Sequence, residues 1–124
     1  MSGEQHSSDE PSPSLDLSPP NRALPPGPWS VLAFNKRVLK GWRSLCERLP
    51  ENAAACFEWL SQRPTTPIPR RCYPLKHKQF LGCWAYEVGS GDRVYYKPFE
   101  RDLKAVVYFA GTHPPRVPAP PDQL

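Results

Sequence analysis

The chain lacks most signatures that would assign it to a large enzyme class. Its four cysteines, Cys46, Cys56, Cys72 and Cys83, form no C-x-x-C pair, and none stands with a histidine at zinc-finger spacing. A structural metal site is therefore not expected, and the reading is of reduced thiols in a cytoplasmic protein. No apolar run approaches the roughly 20 residues that cross a bilayer, and the N-terminus has neither the basic start nor the apolar centre of a signal peptide. G-x-G-x-x-G, G-x-x-x-x-G-K, G-x-S-x-G and H-E-x-x-H are all missing, so dinucleotide, P-loop, serine-hydrolase and zincin chemistry have no support.

Proline is abundant, 18 of 124 residues, and it is concentrated at the two ends. Residues 1–28 are Ser, Pro and acid, with only Leu15, Leu17 and Leu24 as sizeable apolar side chains. Such a stretch cannot bury enough surface to offset the entropy of ordering, and we expect a disordered extension. Residues 114–124 read as a second extended, Pro-rich tail. The domain is left at 29–113. Residues 1–27 carry Arg22 against Glu4, Asp9, Glu10 and Asp16, a net −3, so residues 28–124 hold +7 of the overall +4. A small domain with that balance suits a polyanion or an acidic protein segment, although ordinary solubility charge reads the same way.

Within the domain, Trp29 to Phe34 is a short apolar run suited to a strand. Asn35 then offers an N-cap, and Val38, Trp42, Leu45 and Leu49 recur on one helical face through about residue 49. Pro50 suits the first turn of a second helix, striped by Ala53, Cys56, Phe57 and Leu60 and ended near Arg63-Pro64. The prolines of 64–71 forbid regular structure. A basic segment, Tyr73 to Lys78, leads into three aromatic and β-branched runs at 83–88, 93–97 and 105–110, with glycine turns or charged loops between them. The expected fold is α+β: an N-terminal strand, then an antiparallel two-helix hairpin packed on one face of a small twisted antiparallel sheet, the other face open.

Alternation puts Trp84, Tyr86 and Val88 on one side of their strand and Cys83, Ala85 and Glu87 on the other; Val94 and Tyr96 oppose Arg93, Tyr95 and Lys97. Arg93 on the polar side could hold a phosphate bidentately, or simply pair with Asp92 or Glu87. His113 closes the last strand and could act as general acid or base, or be merely solvated. His77 lies between Lys76 and Lys78. Tyr73 and Tyr95 could stack on bases or only cover the sheet.

The order of these pieces resembles the RelE/ParE superfamily of bacterial type II toxins. Pro74-Leu75-Lys76, Trp84-Ala85-Tyr86-Glu87-Val88, Arg93-Val94-Tyr95-Tyr96 and Gly111-Thr112-His113 follow one another as in that family, over about residues 29–113. The resemblance implies RNA bound on the open face and cut on the ribosome without metal or other cofactor. Its partners would be mRNA and a cognate antitoxin that covers the same face. It implies Arg93 as the phosphate ligand and His113 as general acid or base; Glu87 is a candidate substitute base on its own chemistry, not one the family supplies. Tyr73, Lys76, His77, Lys78, Tyr95 and Lys97 would line the RNA. The chain departs from the family at Ala85 and Glu87, where some branches carry lysine or arginine, at Tyr73, where one branch carries a glutamate, and at Pro114, which replaces an aromatic. A non-enzymatic gyrase inhibitor and an inactive scaffold are the alternatives the same resemblance allows.

Overall fold

The computed structural model describes residues 15–18 and 27–124. Its elements are β1 (Ser30–Ala33), α1 (Lys36–Arg48), α2 (Pro50–Gln62), β2 (Cys72–Pro74), a 3-10 turn (Lys78–Phe80), β3 (Trp84–Glu87), β4 (Asp92–Phe99) and β5 (Lys104–Thr112).

Helix α1 starts where Asn35 accepts the Val38 N–H on its side-chain oxygen at 3.0 Å, and ends where the Leu49 N–H returns to the Leu45 carbonyl. Pro50 opens α2 in the first turn, where a missing N–H costs no hydrogen bond. Val38, Leu39, Trp42 and Leu45 of α1, with Ala53, Cys56, Phe57 and Leu60 of α2, are buried against the sheet side bearing Val31, Tyr86, Val94, Tyr96 and Val107. Gly41 lets α1 sit close to β5: a Cβ there would run into the Ala110 carbonyl. Tyr96 closes the bottom of this core, its hydroxyl donating to the Pro64 carbonyl at 2.6 Å and lying 3.1 Å from Cys72 Sγ.

The strand order is β1-β5-β4-β3-β2, with the last four strands an antiparallel meander. The antiparallel meander is as expected, and the N-terminal strand makes the sheet mixed, because β1 lies parallel to β5, Ser30 opposite Lys104 and Ala33 opposite Val107. The helix pair carries the chain from one edge of the sheet to the other, and the meander then brings β5 back beside β1 running in the same direction. β2 was hidden from the sequence by Pro74. It is an edge strand, where a residue without an N–H is tolerated.

Two further findings depart from the sequence reading. Leu17, which composition assigned to a disordered extension, is a core residue with 1% of its surface exposed. Its N–H donates to the Val31 carbonyl, and its own carbonyl accepts the Trp42 Nε1–H at 2.8 Å, so the segment caps the free edge of β1. The rest of the expected extension, apart from residues 15–18 and 27–28, lies outside the described residues. The open face of the sheet, in turn, is not bare: Phe80, Cys83, Ala85, Tyr95 and Tyr108 form a second apolar cluster there, with Leu75, Phe109 and Leu124 packed on it.

Candidate functional site

Register sets out the site in two rows across the open face. One row runs Glu87, Arg93, Gly111; the next runs Tyr73, Ala85, Tyr95, Phe109. Gly111, with φ +155°, puts no side chain beside Arg93.

Arg93 is fixed by the backbone of its own turn. Its Nη1 donates to the carbonyls of Asp92 at 3.0 Å and Gly89 at 3.3 Å, which leaves Nη2 pointing toward Glu87 Oε1 at 3.7 Å. The other Glu87 oxygen accepts the Tyr73 hydroxyl at 2.6 Å. Arg93 and Glu87 side chains are 13% and 27% exposed, so the pair is sheltered yet reachable from solvent. Behind it, the Arg48 guanidinium holds the buried Asp92 carboxylate at 3.0 Å and pins the turn that carries Arg93. Burial, with the adjacent Glu87 carboxylate, pushes the Tyr73 phenol up to about 12, and burial raises Tyr95 as well. Both phenols therefore face this site as neutral hydrogen-bond donors at physiological pH. A guanidinium with two N–H groups anchored and others free, beside a carboxylate and a phenol, can bind one phosphate and take up or return a proton.

Of the candidates named from sequence, Tyr73, Glu87 and Arg93 come together, with Tyr95 in the adjoining row. His113 stands two residues beyond Gly111, exposed, its N–H donating to the Gly91 carbonyl at 2.8 Å. That places its backbone at the Arg93 end of the sheet. Lys97 is at the opposite end, where its Nζ donates to the Leu124 backbone oxygen at 3.1 Å. Lys76, His77 and Lys78 are exposed on the β2–β3 connection and are not brought to Arg93; His77 meets the edge of the Phe80 ring.

Sequence reasoning missed two features. Arg71 reaches the Glu87 carbonyl with Nη1 at 2.9 Å and braces the strand that carries the carboxylate. A β-bulge in β5 pairs Tyr95 with Phe109 but Tyr96 with Val107, so Tyr108 and Phe109 both join the open-face cluster although they are neighbours. Strict alternation cannot show a bulge. Among the described residues no three potential metal ligands cluster, and no helix is long and apolar enough to cross a membrane.

A helix pair on a five-stranded sheet of this order has counterparts among solved structures. The chain superimposes on the YoeB/ParE toxin from Agrobacterium tumefaciens with a TM-score of 0.54 and 15% identity, over 68% of this chain and 98% of that one. The fold is RelE/ParE-like. The RelBE2 toxin-antitoxin complex from Mycobacterium tuberculosis also matches, at 21% identity and a TM-score of 0.45 over 70% of this chain and 93% of that one. No family model matches the chain, and no curated protein is similar to it in sequence. In the RelE/ParE-like frame, the Tyr73, Glu87 and Arg93 cluster lies on the sheet face away from the helices.

Proposed function

We propose that the chain is the toxin of a type II toxin-antitoxin system and acts as a ribosome-dependent mRNA endoribonuclease. The observation that carries this reading is the Arg93 guanidinium, anchored by two carbonyls and directed at a carboxylate that a phenol also holds, on the open face of a RelE/ParE-like sheet. In the reaction, a ribose 2′-oxygen attacks the adjacent phosphorus as its proton passes to Glu87. The P–O5′ bond breaks, and His113 in its protonated form supplies the proton to the departing 5′-oxygen. The products are a 2′,3′-cyclic phosphate and a 5′-hydroxyl. Arg93 neutralises the charge that builds on the non-bridging oxygens, a term worth about 10²–10³ in rate for a single well-placed donor. Tyr73 orients Glu87, and Tyr95 offers a ring for a base. No cofactor enters the scheme. A cognate antitoxin with an acidic segment would cover the basic surface.

Purified chain added to ribosomes programmed with a defined mRNA tests the reading. Cleavage ending in a cyclic phosphate, lost in Arg93→Ala and in His113→Ala, supports it. Equal cleavage by folded variants removes it. The absence of lysine or arginine at positions 85 and 87 favours a second reading, a non-enzymatic gyrase inhibitor, for which gyrase-dependent DNA breaks with intact mRNA would be the sign.

A further inference from the structure

The open face has an occupant within the chain itself. After His113 the backbone turns back along the sheet. Tyr108 donates its hydroxyl to the Pro118 carbonyl at 3.1 Å, Lys97 Nζ reaches the Leu124 oxygen at 3.1 Å, and the Leu124 side chain packs on the Tyr95 and Phe80 cluster. Pro118, Pro120, Pro121 and Leu124 are half-buried, whereas Ala119, Asp122 and Gln123 are exposed, so the segment lies with one side down. A tyrosine hydroxyl donating to a carbonyl of a proline-rich stretch is how aromatic grooves hold extended ligands, and the prolines lower the entropy cost of docking.

We propose that residues 114–124 are a cis-acting strap that docks on the aromatic open face and must leave it before a single-stranded polyanion can engage Lys97 and Tyr95. The proposal rests on the RNA reading above. Its basis is the double use of two groups: Lys97, the cation at that end of the face, is taken up by the Leu124 oxygen, and the Tyr95 ring lies in the cluster on which Leu124 packs. The attachment is slight. It consists of two side-chain hydrogen bonds, the Leu124 anchor and half-buried prolines, with no strand ladder to the sheet. A competing ligand then sees an affinity reduced by the fraction of molecules whose strap is closed.

The full chain is compared with Leu124→Ala and Tyr108→Phe, neither of which changes net charge. Backbone nitrogen relaxation at Val117, Ala119 and Gln123 reports strap order, and a short 2′-O-methyl RNA, which cannot be cut, serves as ligand. The strap of the parent is expected to be ordered alone and to loosen at saturating RNA; in the variants it is loose from the start, and affinity tightens about tenfold. RNA bound with the strap still ordered, or variants that loosen the strap at unchanged affinity, overturn the proposal and leave the RNA reading standing. No binding by the loosened variants overturns the strap's role, while cleavage on programmed ribosomes decides the RNA reading separately.

Discussion

The Tyr73 hydroxyl donates to Glu87 Oε2 at 2.6 Å, joining the edge strand β2 to the strand that faces Arg93. Of the contacts around the site this is the shortest, and it turns a carboxylate that would otherwise swing in solvent into a fixed acceptor. Tyr73→Phe should therefore lower the rate of RNA cleavage by about tenfold, with little change in RNA affinity, because it removes orientation and not a phosphate ligand. Glu87→Gln should cost more. A rate for Tyr73→Phe equal to the parent's would show that the phenol has no part in positioning the base.

Leu17 yields a stability prediction that composition would never have suggested. Its side chain is almost wholly enclosed, and its backbone bonds to both β1 and Trp42. Leu17→Ala should destabilise the protein by about 2–4 kcal/mol in urea unfolding, the range for a buried leucine that leaves a cavity. Leu81, 79% exposed, is the control, and Leu81→Ala should shift stability by less than about 0.5 kcal/mol. Equal effects at the two positions would mean that the 15–18 segment is not docked in solution.

All five tyrosines sit where burial raises the phenol, Tyr73 and Tyr86 to about 12 and Tyr95, Tyr96 and Tyr108 upward as well. A group whose folded pKa lies above its unfolded value near 10 stabilises the fold fully below that value, and the contribution is lost as pH rises through the folded pKa. Urea midpoints should hold level on this account up to about pH 10 and fall steadily between about 10 and 12. Tyr73→Phe should soften the fall without abolishing it. A midpoint that stays flat to pH 12 would contradict the packing of these rings.

The thiols supply a check on the core. Burial and the neighbouring Glu47 push Cys46 up to about 11, and burial raises Cys56, Cys72 and Cys83. Since the thiolate is the reactive form, a disulfide reagent at pH 8 should label the native protein slowly, with the half-buried Cys46 first, and all four thiols quickly in denaturant. Fast native labelling of Cys72 would show that the Tyr96 side of the core is open.

Both helices and the three meander strands could be read from the sequence, because Val38, Trp42, Leu45, Ala53, Cys56, Phe57 and Leu60 keep helical spacing and the strands are dense in aromatic and β-branched residues. Parity also placed Glu87, Arg93, Tyr95 and Lys97 on one face correctly. What escaped depended on tertiary partners. Leu17 is ordinary in composition and is buried only because β1 has a free edge and Trp42 a free indole N–H. The parallel pairing of β1 with β5 follows from where the helix pair delivers the chain, which local patterning does not encode. The meeting of Tyr73 with Glu87 needs a short edge strand that Pro74 disguised. The strap needs Tyr108 and Phe109 on the same side of the sheet, which only a bulge allows.

The most direct test of the central claim is induced expression of the parent and of Arg93→Ala, with the 5′ ends of cellular mRNA mapped over the following minutes. New ends within translated codons, appearing for the parent and absent for the variant at equal protein level, are the predicted result. Growth arrest by the parent with mRNA left intact would contradict it.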